Sequence, residues 1–441
     1  MKIRKYIPLF VAAAMLAGFS ACQDEPDRYR MTDGLPTIHF IRPTGAPSDT
    51  LLTSAYMGNS LTICGDNLRS IYEIWFNDRK AVLNTSYMTD HTVLVDVPNT
   101  IPGHVTNKIY FRNKKQEEVA VDFNVLVPGP SLTGLSCEWA APGTAVTLTG
   151  DYFVDDEGAP LTVTFEKGGP ATIESVAQNT IRFVVPDAAE EGTITVSTVY
   201  GETTSAFHYR DSRGMLFTFD DDSPLMPNGW HFDAAVIETD DSALSGNYAR
   251  LGDPSVTMSE NGGWDDSHYM LNYWCGEWTT PVSYATFPRV MDIVDVTDWK
   301  NMAFKFEMLV PSANPWGAGA MQIMFCGTDL VTNSDDKDGA GSTDVYGDHV
   351  RGTNWCIENK NLARGLYQPW TPTEMFDTED AWITVSVPFK DFIYAYDGAA
   401  SAGTFSEKNF GSLTLFVVGG VTGQECQPVI KLDNLRVVPI K

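Results

Sequence analysis

One nine-residue element occurs twice in this chain. Gly58-Asn59-Ser60-Leu61-Thr62-Ile63-Cys64-Gly65-Asp66 returns 85 residues later as Gly143-Thr144-Ala145-Val146-Thr147-Leu148-Thr149-Gly150-Asp151. Each copy leads through alternating apolar and polar residues to a run that stops at proline. These runs are Val93-Leu94-Val95-Asp96-Val97-Pro98 and Ile181-Arg182-Phe183-Val184-Val185-Pro186. Alternation with period two is the signature of half-buried strands, and it leaves little room for amphipathic helices. The Gly, Asn, Asp and Pro punctuation predicts short antiparallel strands in a sandwich, with the Gly-Asp steps as tight turns leaving the strand. Pro128-Gly129-Pro130 reads as a stiff hinge between the copies, and Tyr209 to Gly214 as a join to a third domain. The expected domains are 36–128, 129–210 and 211–441.

The third domain opens with Met215-Leu216-Phe217-Thr218-Phe219-Asp220-Asp221-Asp222 and closes with Ile430 to Ile440. Strand-like runs lie between, at Met302 to Val310, Met321 to Phe325, Trp382 to Val387 and Leu413 to Val418. Long Gly-, Asp- and Asn-rich loops separate them. The whole chain is therefore expected to be all-β, two sandwiches followed by a jelly roll whose first and last strands pair.

Residues 1–21 read as an address. Lys2, Arg4 and Lys5 precede an apolar stretch from Ile7 to Phe19 that is too short for a membrane span, and Ser20-Ala21-Cys22 follows. Small residues leading to a Cys resemble the bacterial lipoprotein box, with Phe19 where that box usually has Leu. The resemblance implies lipidation at Cys22 and a flexible tether over 22–35. The acidic Gln23-Asp24-Glu25-Pro26-Asp27 resembles the surface-export signal of gram-negative gut bacteria, which implies a lipid-anchored protein in the outer membrane facing the exterior.

The formal charge is −27, and −30 once Lys2, Arg4 and Lys5 leave with the leader. That field argues against nucleic acid, anionic headgroups and acidic polysaccharides, and costs a neutral glycan nothing. Beyond Cys22, the cysteines are Cys64, Cys137, Cys275, Cys326, Cys356 and Cys426. They show no zinc-ligand spacing; a disulfide among the last four stays open.

Nine of eleven tryptophans fall in the last domain, densest between Trp264 and Trp278. Flat rings ringed by Asp265, Asp266, Asn272 and Glu277 suit a sugar, whose C–H faces stack on the ring while polar neighbours take the hydroxyls. A sandwich core rich in Trp fits the same cluster. Trp278 and Trp316 are the first candidates, the latter because Pro315 and Gly317 beside it suggest an exposed loop. Trp264, Trp274, Trp370 and Tyr367 follow. Trp230, Trp299 and Trp382 read as core, and Trp355 stays undecided.

The repeats resemble IPT/TIG domains, which are immunoglobulin-like: the leading Pro36 and Pro130, the repeated element, Ile74-Trp75-Phe76-Asn77 and the closing Pro98 and Pro186 carry the likeness. With the lipoprotein signal and the opening and closing strands of the third domain, the chain resembles surface glycan-binding proteins of gut-bacterial polysaccharide-utilisation systems. Among these it is most similar to the B-type with a xyloglucan-binding domain. That implies non-catalytic capture of a neutral plant polysaccharide, β-glucan or xyloglucan, beside an outer-membrane importer and its partner glycan-binding lipoprotein. It implies no required cofactor. Related modules hold a structural calcium where the paired ends meet, which would fall on Asp220, Asp222 and Asp433. Ser334 to Gly339 lacks the closing Glu of a calcium loop, with Val345 at that place. No H-E-x-x-H, G-x-S-x-G or phosphate loop is present, although acidic residues are plentiful enough for a hydrolase or lyase. A protein-binding adhesin is the third reading.

Overall fold

The computed structural model describes residues 29–45, 51–226, 236–275, 287–326 and 362–440. Strands dominate, joined by short 3-10 turns and a four-residue helix, Val290–Ile293. No helix among the described residues is long and apolar enough to cross a membrane. The chain separates into two compact units, 1–128 and 129–441.

In the first unit, a three-stranded sheet (Thr37–Pro43, Ser60–Asp66, Thr92–Asp96) faces a four-stranded sheet (Arg79–Lys80, Ile71–Phe76, Lys108–Asn113, Glu118–Asp122). Leu61, Ile63, Val93, Val95, Ile74, Phe76, Ile109 and Phe111 fill the space between. The second unit begins with another sandwich. Its sheets are Ser131–Leu135, Ala145–Asp151, Thr180–Val184, Thr172–Ala177 and Gly169–Pro170, Thr162–Phe165, Gly192–Thr198, Gly201–Tyr209.

The repeated Gly-Asp step does not leave the strand as the sequence suggested. Gly65 and Gly150 lie inside their strands, opposite a bulge at Ile38/Phe40 in one domain and at Leu132/Gly134 in the other. A Cβ on Gly65 would stand 2.0 Å from the Thr37 carbonyl oxygen, and one on Gly150 would stand 1.9 Å from that of Ser131. The glycine is needed because the first strand of each domain presses its backbone against the second. The same device in both domains explains why this element repeats.

The described residues between 211 and 440 form a jelly roll of two sheets. In the larger, Val236–Glu238, Tyr248–Leu251, Ile430–Pro439, Met302–Leu309 and Ile383–Pro388 lie in that order, and Met215–Phe217 also pairs antiparallel with Ile430–Pro439, so first and last strands meet as expected. In the smaller the order is Met270–Tyr273, Ser412–Val418, Ala320–Cys326, Gly365–Tyr367. Phe304 meets Phe325 at 5.5 Å and Phe217 meets Tyr273 at 5.6 Å between the sheets. The large sheet's inner face is thus built from Phe304, Phe306, Met308, Leu432, Leu435 and Val437, all fully buried or within 1% of it.

The outer face of that larger sheet is docked on the preceding sandwich. Glu138, from the 129–210 domain, accepts from Lys305 Nζ at 2.5 Å and from Arg436 Nη2 at 2.8 Å. Arg436 also grips Glu307 through Nη1 at 2.6 Å and Nη2 at 3.0 Å. Thr384 completes the joint: its hydroxyl donates to Glu307 at 2.9 Å, its N–H donates to the Ser136 carbonyl at 2.8 Å, and the Glu138 N–H donates to its hydroxyl at 2.6 Å. All four charged side chains are buried. Burial pushes the Glu307 carboxyl upward and the Arg436 guanidinium pulls it back. Leu244 and Trp382 pack against the core of the 129–210 domain beside this joint. Trp382, expected in the core, thus sits in the seam, half-buried, its indole N–H donating to the Ser242 carbonyl at 2.7 Å.

Candidate functional site

Side chains directly opposite on neighbouring strands share a face. In the smaller sheet, one face carries Leu271, Leu415 and Ile323 in one row and Tyr273, Leu413 and Phe325 in the next, and it forms the sandwich core. The other face carries Asn272, Thr414 and Met324 in one row and Met270, Phe416, Gln322 and Leu366 in the next. This second face mixes amide, hydroxyl, thioether and aromatic groups, and apart from half-buried Leu366 all of them lie within 3% of full burial. Arg364, one residue before the Gly365–Tyr367 strand, donates from Nη1 to Gln322 Oε1 at 2.7 Å and approaches Met324 Sδ at 3.1 Å. Gln322 Nε2 in turn donates to the Tyr396 and Val418 carbonyls, at 3.0 and 3.3 Å.

Trp264 stands on this face. Its ring meets Phe416 edge-on, 5.0 Å between centroids and 82° between planes, and 39% of the residue is exposed. An indole propped on a second ring, open on one side and bordered by half-buried Asp265 and Asp266, has the geometry a pyranose face requires. His268 is tied to Asp265 at 2.9 Å, which fixes the turn below the indole.

The other sequence candidates separate. Trp278 and Glu277 lie outside the described residues, as do Trp230, Trp355 and Cys22. Trp316, expected to be exposed, is 0% exposed. Its backbone pairs both ways with Phe376 at 2.8 Å, and its indole N–H donates to the Ala318 and Gly319 carbonyls. Pro315 and Gly317 mark a sharp entry into the core: a Cβ on Gly317 would stand 2.8 Å from Met375 Cγ. Trp370 is buried too, donating to the Gly319 carbonyl at 2.9 Å, with Gly423 pressed against its ring. Trp274 is buried just beyond the Met270–Tyr273 strand. Tyr367 faces the core side, tilted against Trp316 and edge-on to Phe306, and burial pushes its hydroxyl up to about 12. Three tryptophans expected at a surface are therefore internal, and for Trp316 and Trp370 the indole N–H finds carbonyl partners at loop bases. Trp299, read as core, is half-buried against Phe405.

Sequence reasoning missed Phe416, Gln322, Thr414 and Arg364. A signal existed: polar residues at every second place in Ser412-Leu413-Thr414-Leu415 and at Gln322 mark a second, chemically different face on strands buried on both sides.

Asp220, Asp222 and Asp433 are not a group of three whose ligand atoms lie within 4.8 Å of one another. Asp222 is exposed, Asp220 accepts from the Asn247 N–H at 2.8 Å, and Asp433 is wholly buried with one oxygen lacking a hydrogen-bond partner. Burial pushes the Asp433 carboxyl up to about 9, with Glu307 and Asp220 adding to it. Among the described residues, the group of three whose ligand atoms lie within 4.8 Å is Glu191, His208 and Asp211. Arg213 already occupies both Asp211 oxygens at 2.8 Å. Cys64, Cys137, Cys326 and Cys426 are free thiols, and the Cys275 sulfur accepts from the Ser412 hydroxyl at 3.4 Å. A cleft of about 670 Å³ on the first sandwich, bordered by Lys80, Val82, Asn84, Tyr87 and Asp96, offers a single aromatic ring and no row of them.

Comparison with known proteins identifies the family. The family described as "Surface glycan-binding protein B xyloglucan binding domain" matches residues 209–439, more than half of the chain, and the IPT/TIG domain matches residues 130–210. The structure is similar to that of surface glycan-binding protein PbSGBP-B from Prevotella bryantii, with a TM-score of 0.77, 41% identity, and coverage of 93% of this chain and 100% of that one. An IPT/TIG domain-containing protein of Bacteroides ovatus is 28% identical over 170 residues, which are 36% of this chain and 34% of the relative. The chain thus matches about a third of the length of that curated relative. On the matched 209–439 domain and the likeness across the described fold, this chain belongs to the surface glycan-binding protein B family with a xyloglucan-binding domain.

Proposed function

We propose that this chain captures a neutral plant β-glucan, xyloglucan or mixed-linkage glucan, on the outer face of the smaller jelly-roll sheet and holds it without cleaving it. The observation that carries this reading is Trp264, a 39% exposed indole propped edge-on against Phe416, with half-buried Asp265 and Asp266 beside it. The net charge of −27 favours an uncharged ligand. Lipidation at Cys22 would hold the protein in the outer membrane, facing outward. There it would hand the glycan to an importer working with a second glycan-binding lipoprotein. The Ig-like domains raise the binding domain from the membrane.

The test is binding of xyloglucan and mixed-linkage glucan to the full chain and to Trp264→Ala by isothermal calorimetry. One ring stack contributes about 1–3 kcal/mol, by analogy with base stacking, so affinity should fall about 5- to 150-fold. Unchanged affinity in Trp264→Ala removes the site. Oligosaccharides released on long incubation would show a hydrolase or lyase, and indifference to every glucan would favour the adhesin reading.

A further inference from the structure

The two Ig-like sandwiches share a repeated element but finish one sheet edge differently. In the second, Thr172–Ala177 runs antiparallel along Thr180–Val184, from Ala177 opposite Thr180 to Thr172 opposite Val184. In the first, the matching hairpin starts in the same way, with Met88 opposite Val93, and then stops. The residues before Met88 turn aside. Thr85–Tyr87 is a 3-10 turn, in which the Asn84 side chain accepts from the Ser86 N–H at 3.0 Å and the Tyr87 N–H donates to the Asn84 carbonyl at 2.9 Å. Thr92–Asp96 is therefore the outer strand of its three-stranded sheet, uncovered beyond the hairpin. Val97 bonds inward through both backbone groups, to Gly58 and Asn59. Antiparallel pairing alternates, so Asp96 and Leu94 aim theirs the other way. The Leu94 carbonyl and both backbone groups of Asp96 are left without a backbone partner among the described residues. At the same places in the second sandwich, Arg182 and Val184 meet Ser175 and Thr172.

The cleft of about 670 Å³ lies where that strand would run, with Leu94 to Val97 on one side and Ala81, Val82, Asn84 and Tyr87 on the other. It is open: Val82 is 89% and Tyr87 58% exposed, and Asp96 is exposed as well. Sheet edges are ordinarily covered or blunted, and a bare one beside exposed apolar side chains is a template for strand addition. The charges say what would fit. Asp96 accepts from the Ser60 hydroxyl and has no ion pair among the described residues. Where the second sandwich pairs Arg182 with Glu174 at 2.8 Å, the first has Leu94 in place of the arginine. Charge is also divided along the chain. Residues 29–128 hold 9 Lys and Arg against 10 Asp and Glu, while residues 129–441 hold 17 against 44. The first sandwich is thus the part of the chain that another protein can approach outside the strongly acidic field.

We infer that this edge is a docking site for an extended segment of another polypeptide, which adds a strand beside Thr92–Asp96, sets a Lys or Arg opposite Asp96 and lays an apolar residue on Leu94 between Val82 and Tyr87. The backbone groups of Leu94 and Asp96 supply the pairing, and the Asp96 carboxylate with the apolar rim supplies the choice of partner. This site is independent of where the glycan binds.

The probe is a fluorescent synthetic peptide of residues 170–177 carrying Thr172→Lys and Glu174→Leu, titrated into the full chain and followed by anisotropy. It should bind, and Asp96→Lys in the protein should weaken it about tenfold or more, the worth of one charge-assisted contact. The peptide with Thr172→Glu in place of Thr172→Lys should regain that loss against Asp96→Lys, an exchange that a misfolded variant could not show. Adding Ser175→Pro to the peptide removes the donor that would meet the Leu94 carbonyl and should also weaken binding about tenfold. Hydrogen exchange on the unmutated protein needs no variant: the Asp96 amide should slow when the peptide is added. An Asp96 amide that keeps its rate at millimolar peptide overturns the docking site, as does equal affinity for the proline peptide. A dimer of the chain that Asp96→Lys dissolves would give the edge to a second copy and overturn the proposal. So would a glucan oligosaccharide that slows the Asp96 amide, since the cleft would then hold sugar.

Discussion

Replacing Glu138 by Gln should loosen a joint that carries two positive and two negative charges. In the native joint Glu138 faces Lys305 and Arg436, while Glu307 holds Arg436 from the other side. The replacement leaves Glu307 alone against two cations. Arg436 keeps its two bonds to Glu307, so the loss falls on Lys305, whose side chain is only 6% exposed. Removing one partner of a buried pair costs about 3–5 kcal/mol, because the remaining charge stays desolvated. At about 2–4 °C per kcal/mol for domains of 150–250 residues, the melting transition of the 129–441 unit should fall by about 10 °C. Differential scanning calorimetry of the full chain reads this directly, since the two compact units can melt separately. The double variant Glu138→Gln/Lys305→Met supplies the sharper check. It removes both ends of the pair, keeps the Arg436–Glu307 pair, and should recover most of the lost stability. A single variant within 2 °C of the native protein, or a double variant no better than the single, would refute the reasoning. Either result would mean that water reaches Lys305 and that the two domains are joined by packing alone.

Other expectations are shorter to state. Trp316→Ala should destabilise the 129–441 unit by about 3–5 kcal/mol in urea denaturation, the cost of an emptied indole site, whereas Trp264→Ala should leave the midpoint almost unmoved. Gly150→Ala should lower stability more than an ordinary surface Gly→Ala change, since its Cβ would meet a backbone oxygen at 1.9 Å; circular-dichroism melts decide. Asp433 is held at about 9 when folded, far above its ordinary 3.8, so the folded state keeps a proton that the unfolded chain releases. Its contribution to stability is therefore fully present below about pH 4 and is lost as pH rises toward 9. Asp433→Asn should match the native protein near pH 4, exceed it at pH 8, and flatten the slope between; parallel slopes in the two proteins would count against a buried acid there.

The fold was legible where period-two alternation is strong. Strands such as Met302–Leu309 and Ser412–Val418 stand where the sequence placed them, and the paired first and last strands follow from their apolar runs. The Gly-Asp repeat located two domains, but its glycine serves a bulged close approach that only backbone pairing reveals. The site was less legible because Pro and Gly beside Trp look alike whether the chain turns outward or inward. Trp316 turns inward, since its N–H reaches two carbonyls there, and Trp370 shares one of them. Trp264 stays out because its edge rests on Phe416, a contact made across more than 150 residues of sequence. Arg364, just before the Gly365–Tyr367 strand, and Gln322 stand 42 residues apart in sequence, and only the folded strand pairing brings them together.

The jelly roll turns one sheet toward its neighbouring domain and the other away from it. If the polymer lies across the far sheet as proposed, a pull on it would pass through the sandwich to Lys305 and Arg436, which hold Glu138, and to Glu307, which holds Arg436. Such a load arrives as shear on many short bonds and does not unzip them one at a time. The binding domain and the sandwich below it should then move as a single lever, so that tension on the captured chain reorients some 300 residues together.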